Sequence, residues 1–277
     1  MTAARIESGW AAIKGAQLFH RSAGSGPPLL LLHAGICDGR MWEEQIAEFA
    51  RTHCVIAPDL RGYGQSKMVA GGFSHRQDIR GLMDHLGVAR AVLVGVSMAG
   101  RNALDLTLEH PERVEALVLV AAGLSGYSWD DPAMQAADAA VDAALAAGRR
   151  DEAAEIELKT WVAGPRRSLD RIDAGLRRRV REMILQSYAN QPEIGQPLSF
   201  EPPAIGRLSE VRAPTLIIVG DEDVPDVLAI ADRLAAGIAG ARKVVMRGTA
   251  HLPSMEQPAA FNDIVRGFLD MRERGRG

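Results

Sequence analysis

Five nearly unbroken apolar runs limit what this chain can become: "LLLLH" (29–33), "CVIAPDL" (54–60), "AVLVGV" (91–96), "VEALVLVAA" (114–122) and "PTLIIVG" (214–220). A strand with one face in water alternates apolar and polar residues, whereas a strand covered on both faces reads as a continuous apolar run. Segments of helical spacing separate them. Met41 to Ala50 carries Trp42, Ile46 and Phe49 on one side, His75 to Leu86 follows, and Ala99 to His110 is stopped by Pro111. "WAAIKGAQLFHR" reads as two short strands about a Lys14-Gly15 turn, "KVVM" as a further strand, and Pro258 to Met271 as a closing amphipathic helix. Strand and helix in alternation predict an α/β fold whose sheet is mostly parallel, with right-handed crossovers.

One segment breaks the rhythm. Between 124 and 206 no buried strand is visible, and "DPAMQAADAAVDAALAAGRRDEAAEIELKTWVAG" is alanine-rich, charged and helical. We read 124–206 as a helical cap (lid) inserted into a core made of 1–123 and 207–277. With 277 residues the chain suits one sizeable domain carrying such an insertion. A net charge of -3 provides no basic footprint for nucleic acid, and no apolar run reaches the ~20 residues of a membrane span. "MTAARIESGW" lacks the pattern of a secretory signal, so a cytoplasmic location is expected. Cys37 and Cys54 form neither a disulfide framework nor zinc-ligand spacing. No metal site, cofactor or membrane partner is expected, and the oligomeric state cannot be read.

At "GVSMAG" a strand turns abruptly into a helix at Ser97. Gly95-Val96-Ser97-Met98-Ala99 fits the G-x-S-x-G nucleophile elbow with alanine in the last place. Small residues two places either side of the serine let strand and helix close without collision, and the helix N-terminus leaves free amides at the corner. A serine hydroxyl is a weak nucleophile near neutral pH and needs an imidazole to take its proton and a carboxylate to orient that imidazole. "DEDVPD" supplies Asp221, Asp223 and Asp226 just after one strand, and His251 lies in "RGTAHLPSMEQP" after the next. Ser, then acid, then His is the α/β-hydrolase order. On residue pattern alone Asp221 and Asp223 both remain open as the acid, while Asp226 reads as the N-cap of the following helix. His33, His20, His53, His75, His85 and His110 read as structural or surface residues.

These motifs, together with "LLLLHAGICDGRMWEEQ" and "APDLRGYGQS", resemble the α/β-hydrolase fold superfamily, in particular its small esterases and 3-oxoadipate enol-lactonases, along nearly the whole chain. The resemblance implies an eight-stranded, mostly parallel sheet with helices on both faces. It also implies Ser97 as nucleophile, Asp223 as acid and His251 as base. The oxyanion donors it implies are the amides of Met98 and Gly35. Ala34 stands where the family commonly has glycine, which leaves Ile36 as an alternative donor. Ile36, Trp129 and Trp161 are candidate substrate contacts, and Cys37 lies near enough to the oxyanion loop to be another.

The expected activity is hydrolysis of a small carboxylic ester or lactone through an acyl-enzyme. A carbon–carbon bond hydrolase or perhydrolase would use the same three side chains. A non-catalytic small-molecule receptor is the alternative of another class.

Overall fold

The computed structural model describes residues 5–190 and 192–274. Ten strands are present among them: β1 (Glu7–Ile13), β2 (Ala16–Ala23), β3 (Pro28–Leu32), β4 (Cys54–Pro58), β5 (Gly71–Phe73), β6 (Ala91–Val96), β7 (Val114–Val120), β8 (Gly195–Pro197), β9 (Thr215–Gly220) and β10 (Arg242–Met246). Eight form one sheet in the order β1-β2-β4-β3-β6-β7-β9-β10. The β1–β2 and β2–β4 pairs are antiparallel, and the remaining pairs are parallel. The helices are α1 (Glu43–Phe49), α2 (His75–His85), α3 (Met98–Glu109), α4 (Pro132–Ala146), α5 (Arg150–Glu157), α6 (Ala174–Ala189), α7 (Pro225–Gly237), α8 (Pro253–Glu256) and α9 (Pro258–Arg274).

The apolar runs behave as their composition demands. Leu30 and Leu32 point into one core cluster with α2, α3 and α7, while Leu29 and Leu31 point into the other with α1 and α9. The period of two splits the neighbours likewise: Leu117 and Leu119 go one way, Val118 and Val120 the other. Every residue of β6 and β9 is buried, so each strand needs apolar side chains on both faces.

Strand order also positions a crevice. β3 and β6 are neighbours, but the chain leaves β3 for α1 on one face and β6 for α3 on the other. Where successive connections part to opposite faces, the carboxyl ends of the two strands open onto a gap, the usual ligand position in such sheets. The loops of 33–38 and Ser97 flank it.

Between β7 and β9 come α4, α5, a π-helical turn (Leu158–Ala163) and α6. The π turn packs against both α5 and α6. One strand was not foreseen here. β8 is short and mostly exposed and pairs with β5 outside the main sheet; three residues without a buried apolar face carry no sequence pattern.

A buried ion pair fixes the loop after β4. Arg61 donates to both Asp78 carboxylate oxygens at 2.8 and 2.7 Å and to the Ile13 carbonyl, with both side chains almost wholly enclosed. Removing one partner strands the other charge away from water. Asp78→Ala is expected to lower unfolding stability by about 3–5 kcal/mol in urea titration; a loss below about 1 kcal/mol, the level of an exposed pair, would contradict this account.

Candidate active site

Ser97 sits at φ 55°, ψ -117°, one of three non-glycine residues with positive φ among those described. A serine gains nothing locally from that conformation, which costs on the order of 1–3 kcal/mol, so the surroundings must impose it. The Ser97 amide donates to the Val120 carbonyl at 2.9 Å, and its own carbonyl accepts from the Arg101 and Gly123 amides. The corner closes only because two positions lack a side chain. A Cβ on Gly95 would lie 2.8 Å from the Ala99 carbonyl oxygen, and one on Gly100 would lie 2.7 Å from the Ala122 Cβ. Gly100 thus makes the close helix–strand contact, and Ala99 is buried without a positive φ. Ser97 stays partly exposed, and its hydroxyl makes no hydrogen bond among the described residues.

Across the sheet edge, His251 Nδ1 meets Asp223 Oδ2 at 2.9 Å and Oδ1 at 3.2 Å, with both side chains buried. Asp223 Oδ1 also accepts from the Val224 amide at 2.8 Å, which fixes the carboxylate plane. A carboxylate on Nδ1 selects the tautomer protonated there and leaves Nε2 as the nitrogen able to accept a proton. The two loops touch closely: a Cβ on Gly220 would come within 2.2 Å of the Thr249 carbonyl oxygen.

The neighbouring acids have other tasks. Asp221 accepts from the Gly248 amide and braces the histidine loop. Asp226 is not the N-cap expected from its position; α7 begins after Val224, and Pro225 needs no capped amide. The Asp226 carboxylate instead accepts from the Tyr127 hydroxyl at 3.0 Å and the Asp131 amide at 3.3 Å, tying the start of the helical segment to the sheet edge.

Gly35 lies against the elbow, since a Cβ there would stand 3.7 Å from the Met98 Cβ and 3.6 Å from the Tyr63 hydroxyl. The amides of Gly35 and Ile36 donate to no protein acceptor among the described residues, and Met98 opens α3, where helix amides lack intrahelical partners. Ala34 is buried without a positive φ, so its methyl imposes no strain. His33 is structural as expected: Nε2 accepts from the Leu60 amide at 2.9 Å, and Nδ1 lies 2.8 Å from the Ala34 carbonyl.

Of the candidate contacts, Trp161 comes nearest. Its ring centroid is 4.4 Å from that of His251, and its carbonyl accepts from the His251 amide at 3.3 Å. Trp129 meets Trp161 edge-on at 6.5 Å. The Ile36 side chain is buried in the core. Cys37 is likewise buried, and burial pushes its thiol well above the ordinary range. His75 is structural, one of the two readings expected for it: packed edge-on against Phe73 and near Tyr63, it is driven by burial to about 3 and stays neutral.

Sequence reasoning missed two residues that brace the histidine loop. Arg167 donates to the carbonyls of Val162, Ala163 and Gly248 and pairs with Glu256 at 2.8 Å. Glu256 also accepts from the Ala250 amide, next to His251. It missed Glu157 as well, at the end of α5, whose carboxyl is raised to about 7, chiefly by burial and then by Asp138. Charged residues in an alanine-rich helix look like solvated surface, and only the packing of helices separates the inward ones.

A model of the alpha/beta hydrolase fold matches residues 27–258. This chain belongs to that family. It is 31% identical over 226 residues, 78% of its length and 76% of the relative's, to a 2-hydroxy-6-oxononadienedioate/2-hydroxy-6-oxononatrienedioate hydrolase of Klebsiella pneumoniae. It is 26% identical over 253 residues (88% and 80%) to carboxylesterase YbfK of Bacillus subtilis. Among solved structures it resembles the enol-lactonase from Burkholderia xenovorans LB400, with 25% identity, a TM-score of 0.76 and coverage of 95% and 100%. Such relatives are hydrolases, which supports a hydrolase here. No helix among the described residues is long and apolar enough to cross a membrane.

Glu256→Ala would free both the Arg167 guanidinium and the Ala250 amide. Loss of about 1.5–3 kcal/mol in unfolding stability is expected, the scale of hydrogen bonds to charged groups. Calorimetry showing an unchanged Tm would refute the bracing role.

Proposed function

We infer that this protein is a serine hydrolase that cleaves small carboxylic esters or lactones through an acyl-enzyme. One observation carries the reading: a serine is forced into a strained corner at the same sheet edge as a buried His251–Asp223 pair. Strain without local benefit is tolerated where a reacting group must be presented.

In this reading Ser97 Oγ attacks the substrate carbonyl carbon as His251 Nε2 takes its proton. The developing oxyanion is held by the Met98 and Gly35 amides, each such donor being worth about 3 kcal/mol. The carbon–oxygen bond breaks, and the leaving alkoxide receives the proton from His251. Water, deprotonated by the same imidazole, then attacks the acyl-enzyme and releases the acid and the serine. Asp223 keeps the imidazole in its Nδ1-protonated form and stabilises the imidazolium. Residues 124–206 are proposed as the cap over this site, with Trp129 and Trp161 in its lining and a small ester or lactone as the only partner required. No metal or organic cofactor takes part in this scheme, and the cytoplasm is the proposed location.

The likeness to the 2-hydroxy-6-oxononadienedioate hydrolase supports a second reading, carbon–carbon bond hydrolysis on the same side chains. Parallel assay of simple esters and 2-hydroxy-6-oxo-dienoates separates the two by kcat/KM.

Ser97→Ala is expected to fold normally yet lose at least about 10³-fold in turnover of p-nitrophenyl acetate. The parent protein should also be labelled at Ser97 by a fluorophosphonate. Unaltered turnover in the variant would remove the nucleophile, and a parent that neither turns over esters nor takes the label would favour the receptor alternative.

A further inference from the structure

Glu157 is the acid that the proposed chemistry does not use. It ends α5 where the chain passes into the π turn that presents Trp161 to His251. The Tyr188 hydroxyl from α6 donates to its Oε1 at 3.4 Å. Its charge also acts on Tyr63, whose hydroxyl lies 3.5 Å from the Met98 sulfur beside the elbow, and on His251. Glu157 therefore sits beside Tyr188 and four residues before Trp161, whose ring packs on His251.

The strongest charge acting on Glu157 is another acid. From α4, Asp138 faces Glu157, with Asp142 behind it. From α6 comes the neutral Tyr188, and from the π turn the Trp161 side chain, each hydrogen-bonding the carboxyl without bringing a charge. From the sheet edge come His251 and Tyr63, with Arg101 acting on Tyr63 from α3. Glu155 and Asp151 on α5 are paired with Arg181 on the outer surface, and Lys159 is exposed. Among the described residues no lysine or arginine pairs with Glu157 or Asp138. A partly buried carboxylate held by neutral donors still lacks a balancing cation, and a ligand that brings the cation supplies what the protein withholds. Aromatic faces at Trp161 and Tyr188 suit an ammonium group in the same place.

We propose that Glu157 sets the charge preference of this site, so that esters or lactones bearing a protonated amine or quaternary ammonium are favoured over neutral ones and carboxylate-bearing ones are rejected. The proposal rests on the hydrolase reading above. Its pH dependence has a definite sign. The carboxyl is held up at about 7 by burial and Asp138, so it is neutral in mild acid and charged in mild base. Discrimination by charge should grow as pH rises through that value and fade below it.

The test uses two isosteric pairs: acetylthiocholine against S-(3,3-dimethylbutyl) thioacetate, and p-nitrophenyl hydrogen glutarate against p-nitrophenyl 5-methylhexanoate. Ratios of kcat/KM within a pair cancel whatever a variant or a pH change does to the chemistry common to both esters. In the parent at about pH 8.5 the cationic member should lead its neutral partner by about ten-fold and the anionic member should trail by a similar factor, with both ratios nearing one at about pH 5.5. Glu157→Gln should bring both ratios near one at every pH. Ratios that stay flat with pH in the parent, or persist in Glu157→Gln, would overturn the proposal. Failure of the hydrolase reading looks different, since neither neutral ester would then be turned over. In that case calorimetric binding of acetylthiocholine and of its neutral partner to the parent and to Glu157→Gln decides the matter through the Kd ratio.

Discussion

The organisation of this protein depends on a backbone collision that is only just avoided. β6 and α3 meet at Ser97 so closely that a single methyl at Gly95 or Gly100 would overlap neighbouring atoms. That proximity holds the serine in a conformation it would not adopt alone, and it directs the first amides of α3 at the same point. The cost falls on one residue and is met by two fully packed core layers, which leave the corner no room to relax.

Polar groups gather at the carboxyl edge for a related reason. The central strands bury both faces, so charged side chains there find water or partners only where the strands stop. Asp223 leaves β9 and His251 leaves the loop after β10, and these adjacent parallel strands deliver them to a shared enclosed position. The helical segment completes the arrangement: the Trp161 carbonyl holds the His251 amide, and Arg167 clamps the π turn to the histidine loop. A π turn lets this happen, since its wider register carries both Trp161 and a line of carbonyls toward the sheet edge.

Legibility followed the strength of the local signal. The Lys14-Gly15 turn, the buried strands and the elbow at Ser97 were visible because each rests on a local backbone demand or a run of apolar residues, while the count of eight strands came from the resemblance. The Asp223–His251 contact was expected from chain order and resemblance. Asp226 was misassigned because an acid early in a helix looks like a cap, whereas Val224 precedes a proline that needs none and leaves the carboxylate free for Tyr127. Cys37 and His75 carried no local signal of their depth. Side chains of intermediate polarity go where neighbouring elements send them, and burial then shifts their titration.

Read alone, the amino-acid order determined which segments become strands, where the chain must turn sharply and which residue types a hydrolase site can draw on, since these depend on interactions a few residues apart. Tertiary structure decided which carboxyls face inward. Glu155 and Glu157 are two places apart on one helix, yet one meets Arg181 at the surface and the other is enclosed beside Tyr188. Helix rotation and packing set that difference, and both arise from contacts between segments far apart in the chain.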